Sequence, residues 1–161
     1  MKTANSMDDS QLKLENQICF PIYSTSRLLT KAYKPFLDQM GLTYPQYLVL
    51  MVLWENDGLS VNTISEKLML NTNTLSPLLK RMEKMALLQR QRSSKDERSV
   101  LVHLSEKGAE LKSAARPVPK KLLGALLSEN IELNDVLQLK EMLNEWIKVL
   151  STKAERLEND K

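Results

Sequence analysis

The segment from Asn71 to Leu104, NTNTLSPLLKRMEKMALLQRQRSSKDERSVLVHL, constrains the fold most, because its hydrophobic period changes part-way along. As far as Met85, leucines and methionines recur at spacings of three and four, which predicts one apolar stripe on an α-helix. Residues 99–104 alternate with period two, which predicts a β-strand, and the polar run before them predicts a hairpin tip. A helix followed by a basic hairpin is the plan of a winged helix, a fold that places the helix in a DNA major groove.

The charge of this segment supports an interaction with a polyanion. It holds seven lysines and arginines against three acidic residues, a net charge of +4, whereas the whole chain carries +3. Basic charge is therefore concentrated here. A solvated helix face is the simpler alternative on charge alone, and the order of helix and then hairpin favours DNA binding.

The candidate DNA contacts fall on the exposed face of the predicted helix and on the predicted wing. A short side chain at Asn71, Thr72 or Asn73 could cap the helix. Asp96 is expected to hold Arg98 by a charge-assisted hydrogen bond. The full set of candidates is Asn73, Thr74, Ser76, Lys80 and Arg81 on the helix, with Arg92, Lys95, Asp96 and Arg98 on the wing.

The rest of the chain is predicted to be helical, which makes the fold mainly α with a small β-hairpin wing. Residues 12–40 form a first helical segment, bent or in two pieces at Pro21 and Pro35. A second helix starts at Thr43, and Ser60 caps a third. A fifth helix over about 106–128 is bent or broken at Pro117 and Pro119, and an apolar seam repeats from residue 136 to 150, as in helices that pack on one another.

Length and composition predict one domain over residues 1–161, with a winged helix-turn-helix at about 44–104 and dimerisation helices at about 12–40 and 106–152. The alternative is that the C-terminal seam packs within one subunit. With one cysteine and one histidine, no intrachain disulfide is possible, and neither a metal nor another cofactor is expected. No apolar run is long enough for a membrane span and no signal-peptide segment is visible, so the cytoplasm is the expected compartment.

The segment LSPLLKRMEKMALLQRQRSSKDERSVLVHLSEKG resembles the core of the MarR family of dimeric winged-helix regulators. The matching parts are the Pro-Leu-Leu-Lys-Arg run, the basic strand, the Asp-x-Arg tip and the Leu-Ser-x-x-Gly exit. The similarity extends from about residue 14 to 150. It implies a homodimeric repressor that binds double-stranded DNA at an inverted-repeat operator, and it favours the C-terminal seam as a dimer interface.

The segment LENQICFPIYSTSRLLTKAYKPFLDQMGLTYPQY resembles the OhrR branch of that family, whose members sense organic hydroperoxides. The resemblance places the oxidised cysteine at Cys19 and its hydrogen-bonding tyrosines at Tyr23, Tyr33 and Tyr44. The thiolate is the reactive form of a cysteine, and phenolic donors stabilise it. Because no second cysteine is present, the sulfenic acid would react with a small cellular thiol, a backbone nitrogen or more oxidant.

The chain also departs from this branch, which commonly has Asp-Ser-Gly-Thr where Asn71-Thr72-Asn73-Thr74 stands here. The difference changes the helix cap and two candidate base-reading side chains, so the usual operator sequence of the branch does not carry over to this chain. Three other functions stay open: a regulator induced by a small phenolic ligand with Cys19 structural, a thiol peroxidase, and a purely structural interaction module. The thiol peroxidase lacks a resolving cysteine and an obvious arginine for the thiolate, and the interaction module leaves the basic wing unexplained.

Overall fold

The computed structural model describes residues 9–94, 96 and 99–159, with side chains described as far as residue 152. Most of the chain is helical, and three short strands form one antiparallel sheet. After two 3-10 turns at Asp9–Leu12 and Leu14–Asn16, the elements are α1 (Cys19–Gln39), α2 (Tyr44–Glu55), β1 (Leu59–Ser60), α3 (Val61–Leu68), α4 (Thr72–Lys84), β2 (Leu88–Arg92), β3 (Val100–Leu104), α5 (Glu106–Ala115), α6 (Val118–Leu126) and α7 (Leu133–Asn159).

The first helix differs from its prediction. The segment over 12–40 is in two pieces, but the break lies before Cys19 and at neither proline. Pro21 is the third residue of α1, where a backbone N–H has no intrahelical partner to lose. Pro35 lies inside α1, and the helix continues through it to Gln39. Cys19 is consequently the first residue of α1 and not an interior one.

The caps of the next three helices follow the sequence. Thr43 precedes α2, and its backbone N–H donates to Gln46 Oε1 at 2.8 Å. Ser60 Oγ accepts the Thr63 N–H at 3.0 Å at the start of α3. Of the three possible caps for α4, Asn71 is the one used, because its Oδ1 accepts the Thr74 N–H at 2.9 Å. These bonds satisfy backbone donors that a helix start leaves unpaired.

The predicted hairpin is confirmed, and the sheet has a third strand that the sequence did not indicate. β2 pairs with β3 over the whole of both strands, and β3 also pairs with the two-residue β1, so the strand order is β1-β3-β2. The expected alternation is weaker than predicted, since in β3 only Val102 is fully buried. β1 escaped detection because two residues are too few to show a period.

One core joins α2, α3, α4 and the sheet. Its fully buried members are Tyr47, Val49, Leu50, Leu53, Ile64, Leu75, Leu79, Met82, Leu87, Leu88 and Val102. Gly108 lets α5 close on this core, because a Cβ there would lie 2.0 Å from the Leu87 carbonyl oxygen. Close packing of α5 on the core therefore requires a glycine at the last position of the Leu-Ser-x-x-Gly motif.

The described residues fall into two compact units, one as far as Val118 and one from Pro119. The break expected in the fifth helix is present, with α5 ending at Ala115 and α6 starting at Val118. In the second unit, α7 carries a row of exposed apolar side chains that includes Leu139, Trp146 and Leu150 of the predicted seam. In the part of the chain that the structure describes, no helix has the length and apolarity needed to cross a bilayer.

Candidate DNA interface and redox site

The recognition-helix candidates lie on one side of α4, opposite the core. Leu75, Leu78, Leu79 and Met82 are buried, as the apolar stripe predicted. The candidate contacts on the other side are exposed at Asn73, Thr74, Lys80 and Arg81, and half-buried at Ser76. This helix therefore presents short polar groups near its N-terminal end and cations farther along, an arrangement suited to base edges and phosphates.

An ion pair that the sequence reading missed fixes the wing to α4. Arg90 on β2 donates from Nε and Nη2 to Glu83 Oε2 at 3.0 and 2.7 Å, and its backbone N–H donates to Glu83 Oε1 at 3.0 Å. The hydrogen bond from the Arg90 side chain is the main reason that the pKa of Glu83 lies below its usual value. Arg90 thus contributes to the basic charge of the segment, but its guanidinium is paired with Glu83 and positions β2 against α4.

The wing candidates are only partly described. Arg92 ends β2 and is exposed, and Asp96 is exposed in the tip, where its carbonyl oxygen accepts the Ser99 N–H at 2.9 Å. Lys95 and Arg98 lie outside the described residues, and so does the predicted contact between Asp96 and Arg98. At the base of the wing, Asp57 Oδ1 accepts the Leu104 N–H at 2.8 Å, which anchors β3 to the turn before β1.

Cys19 lies at the exposed N-terminal end of α1. Its apolar neighbours are exposed too, with Ile18 at 63%, Phe20 at 41% and Ile22 at 38% of their full accessibility. One turn along, Tyr23 is exposed and its hydroxyl oxygen accepts a hydrogen bond from Arg27 Nη1 at 2.8 Å. Apolar side chains exposed together on one helix end are typical of a surface that another molecule covers.

Tyr33 and Tyr44 form a separate, half-buried pair between α1 and α2. Their ring centroids are 4.9 Å apart, and Tyr33 also lies 5.8 Å from the buried ring of Tyr47. Burial raises the pKa of Tyr44 and, with smaller contributions from the two neighbouring tyrosines, raises the pKa of Tyr33 to about 12. Both phenols therefore keep their protons at neutral pH, and a protonated phenol is able to donate a hydrogen bond.

Within one chain the structure does not bring these tyrosines to Cys19. Fourteen residues of continuous helix separate Cys19 from Tyr33, which corresponds to about 21 Å at 1.5 Å per residue. Tyr44 packs on Tyr33 and is equally remote. Tyr23, four residues from Cys19 on the same helix face, is the candidate tyrosine that its own chain places near the thiol.

No group of three or more His, Cys, Asp or Glu side chains within residues 9–94, 96 and 99–159 could hold a metal ion. Within its first unit the chain thus carries an exposed polar face on α4, a wing bonded to that helix, and a lone thiol on α1 with separate phenols on α1 and α2.

Comparison with known proteins identifies this arrangement. The family model described as "Transcriptional regulator SarA/Rot" matches residues 31–115. The organic hydroperoxide resistance transcriptional regulator of Bacillus subtilis (strain 168) is 49% identical over 142 residues, which cover 88% of this chain and 95% of that protein. The chain belongs to the MarR/SarA family of winged-helix transcriptional regulators, in its OhrR-like branch.

Two solved structures of the regulator AbfR extend the similarity. Reduced AbfR bound to DNA is 34% identical with a TM-score of 0.73, and the match covers 89% of this chain and 99% of that one. Overoxidized AbfR bound to DNA is 32% identical with a TM-score of 0.71, covering 89% and 98%. A further AbfR structure gives its source as Staphylococcus epidermidis. These relatives are transcriptional regulators and not enzymes, so the peroxidase reading has no support among them.

Proposed function

We propose that this regulator is a homodimeric repressor that detects organic hydroperoxides by oxidation of Cys19 and then releases its operator. The observation that carries the proposal is the separation on α1. The Cys19 thiol is exposed among apolar side chains at one end, and the Tyr33 phenol lies about 21 Å along the helix, where Tyr44 of α2 packs on it. A second copy of the chain is the simplest source of phenols for that thiol.

In the proposed dimer, the α4 helices of the two copies enter successive major grooves on one side of an inverted repeat, roughly 34–36 Å apart. Asn73, Thr74 and Ser76 are positioned for base edges, and Lys80 and Arg81 for bases or phosphates. Arg92, with Lys95 and Arg98 of the tip, extends the contact along the backbone or into the minor groove. The operator differs from that of other OhrR-like regulators because Thr72 and Asn73 change the start of this helix.

The proposed chemistry is a two-electron oxidation of the thiol. The Cys19 thiolate attacks the outer oxygen of the hydroperoxide, the O–O bond breaks, and an S–O bond forms. The alkoxide leaves and takes a proton to become an alcohol, while Cys19 becomes a sulfenic acid. A small cellular thiol can then attack the sulfur, forming a mixed disulfide and releasing water. Exposed Phe20 and Ile22 favour an organic peroxide over hydrogen peroxide.

The phenols of Tyr33 and Tyr44 from the partner copy are proposed to donate hydrogen bonds to the reduced Cys19 sulfur, with Tyr23 as a weaker third donor. Oxidation and the adduct that follows add volume at this packed contact, where overpacking costs about 1–3 kcal/mol. The tyrosines move in response, and the lobes that carry α4 leave the spacing that two major grooves require. A coupling of about 3 kcal/mol would weaken operator binding more than 100-fold.

A second candidate is induction by a small phenolic ligand, with Cys19 structural. A cleft of about 380 Å³ between α1 and α2 favours it, since Arg27 and Lys31 line this cleft together with Tyr44, while Lys34 there is paired with Asp38. Cations beside an aromatic ring suit an aromatic anion. In this alternative the ligand displaces the lobes directly, and peroxide has no part.

The test is an operator-binding titration of the wild type and of Cys19→Ser, each reduced or treated with tert-butyl hydroperoxide. Mass spectrometry follows the state of residue 19 in every sample, because an overoxidized relative has been solved on DNA. We expect wild-type affinity to fall about 100-fold on oxidation, and the serine variant to bind DNA and ignore the peroxide.

Peroxide-driven release from the Cys19→Ser variant at the wild-type dose would remove Cys19 from the mechanism. A parallel titration with salicylate tests the phenolic alternative. Release by salicylate in both proteins, without release by peroxide in either, would favour that alternative.

A further inference from the structure

Gln46 is a buried polar side chain between the candidate sensing site and the recognition helix. It lies in the first turn of α2, two residues after Tyr44, and retains 5% of its full accessibility. Its Oε1 accepts the Thr43 N–H at 2.8 Å, and its Nε2 donates to the Met85 sulfur at 3.3 Å. Met85 is the C-cap residue that directly follows Lys84, the last residue of α4, so one amide bonds both to the start of α2 and to the cap of the helix that carries the candidate DNA contacts.

The neighbouring contacts connect this hydrogen bond to Tyr44 on one side and to α5 on the other. Tyr44 N-terminal to Gln46 shares the same helical turn, so a displacement of the phenol moves the backbone that carries the amide. On the other side, the Met85 carbonyl oxygen accepts Lys107 Nζ at 3.0 Å from α5. The end of α4 is therefore held between α2 and α5, and a shift of α2 relative to α5 changes its position.

We propose that Gln46 is a positioning residue that transmits the displacement of Tyr44 to the recognition helix through Met85. This inference rests on the proposed function, in which oxidation at Cys19 displaces Tyr44. In the reduced protein the amide keeps the start of α2 and the end of α4 in one relative position. When Tyr44 moves, Gln46 pulls on Met85, and α4 tilts with α2. Without that hydrogen bond, no amide joins the start of α2 to the Met85 side chain, and a displacement of α2 is passed on to α4 less completely.

The experiment compares operator affinity of each variant in the reduced state and after oxidation by tert-butyl hydroperoxide, with oxidation of Cys19 verified by mass spectrometry. Met85→Leu removes the sulfur acceptor and leaves the α2 cap intact. Gln46→Leu removes both hydrogen bonds. Met85→Gln restores an acceptor for the Gln46 amide. The matched control is Met82→Leu, the same exchange one turn earlier on α4 at a fully buried sulfur.

The readout is the ratio of oxidised to reduced dissociation constants, because a general loss of stability changes both states alike. Relative to a wild-type ratio of about 100, we expect Met85→Leu and Gln46→Leu to lower it at least about tenfold while reduced-state affinity changes less than about threefold. Met85→Gln and Met82→Leu should keep most of the wild-type ratio.

Wild-type ratios in both Met85→Leu and Gln46→Leu would overturn the role of Gln46 and leave the proposed function standing. An equal fall in Met82→Leu would also overturn it, since the effect would then belong to core packing. A wild-type protein whose operator affinity does not respond to oxidised Cys19 would instead overturn the proposed function. Circular dichroism of every variant confirms that the compared proteins are folded.

Discussion

The winged-helix lobe and helix α1 differ in how much of their apolar surface the single chain covers. In the lobe, Ile64, Leu75, Leu79 and Val102 have no accessible surface, and ion pairs and caps fix the parts around them. On α1, Leu37 is the one residue that is fully buried, while Phe20, Ile22 and Leu28 among others are exposed. The winged-helix lobe buries its apolar side chains within one chain, whereas the segment that carries Cys19 leaves them exposed, and in our proposal a second copy covers them.

That difference has a functional consequence. A reader of DNA must keep a fixed shape, so its helix and wing are joined by short-range bonds such as Arg90 to Glu83. A sensor must change its contacts on a chemical signal, and a surface completed by a second copy can be repacked without unfolding either core. We therefore expect substitutions in the lobe to change operator affinity itself, and substitutions around the proposed sensing site to change the response to oxidation.

The largest effect is expected from charge on the exposed apolar row of α7. Leu139→Glu places a carboxylate at a seam position that is 52% accessible in the single chain. It should convert dimer to monomer and weaken operator binding by about 100-fold or more, because the second half-site no longer adds to the first. Sedimentation and operator titration measure the two effects. Gln138→Glu, an exposed neighbour off the seam, is the control and should leave both unchanged.

The next effect should come from the bond that sets the wing. Glu83→Gln weakens the contact with Arg90 and should lower operator affinity by about 1–2 kcal/mol, a factor of roughly five to thirty. The direction of the change in operator affinity is informative, because removing an anion near DNA would by itself strengthen binding. Glu66→Gln on the exposed face of α3 controls for charge. If Glu83→Gln binds the operator more tightly than wild type, the pair does not position the wing.

A smaller effect is expected at the phenols. Tyr33→Phe removes one proposed donor to the Cys19 sulfur and should slow oxidation by tert-butyl hydroperoxide roughly fivefold, corresponding to about 1 kcal/mol for one hydrogen bond. Reduced-state operator binding should stay within about twofold of wild type. Stopped-flow measurement of thiol loss gives the rate. Tyr47→Phe, in the same aromatic cluster but in the core, should oxidise at the wild-type rate, and equal slowing in both would point to packing alone.

The sequence predicted the local structure of the winged-helix lobe better than its long-range contacts, for a physical reason. Local patterns specify local structure, so the stripe on α4, the caps at Ser60 and Asn71 and the β2–β3 hairpin were all found. Contacts between distant residues leave no periodic trace, and Glu83 with Arg90, Asp57 with Leu104, and Gln46 with Met85 were missed.

Of the two hydrogen bonds that Gln46 makes, only the one to Thr43 can be read from the sequence, because a glutamine three residues after a threonine is typical of a capping box. The apolar pattern of residues 12–40 extends beyond the start of α1, and Pro21 does not interrupt the helix because a proline in the first turn removes no intrahelical hydrogen bond.

The smallest predicted effect concerns the turn from α4 to the wing. Ala86 has a left-handed backbone with φ of 56°, a conformation that favours glycine. Ala86→Gly relieves about 1–2 kcal/mol of strain and adds about 0.5–1 kcal/mol of unfolded-chain entropy, so the free energy of unfolding should rise by about 0.5–1 kcal/mol. Thermal denaturation should show Tm higher by about 1–4 °C. Ala109→Gly, in the exposed middle of α5, is the control and should lower Tm.

The same Ala86→Gly variant sharpens the comparison between lobe and sensor. It stabilises the complete lobe at a turn remote from Cys19 along the chain, and it leaves Gln46, Met85 and the tyrosines in place. The ratio of oxidised to reduced operator affinity should therefore equal that of the wild type even as Tm rises. If the ratio falls as the lobe becomes more stable, release of DNA involves loosening of the lobe itself. A rigid lobe would then not be what distinguishes it from the proposed sensing region.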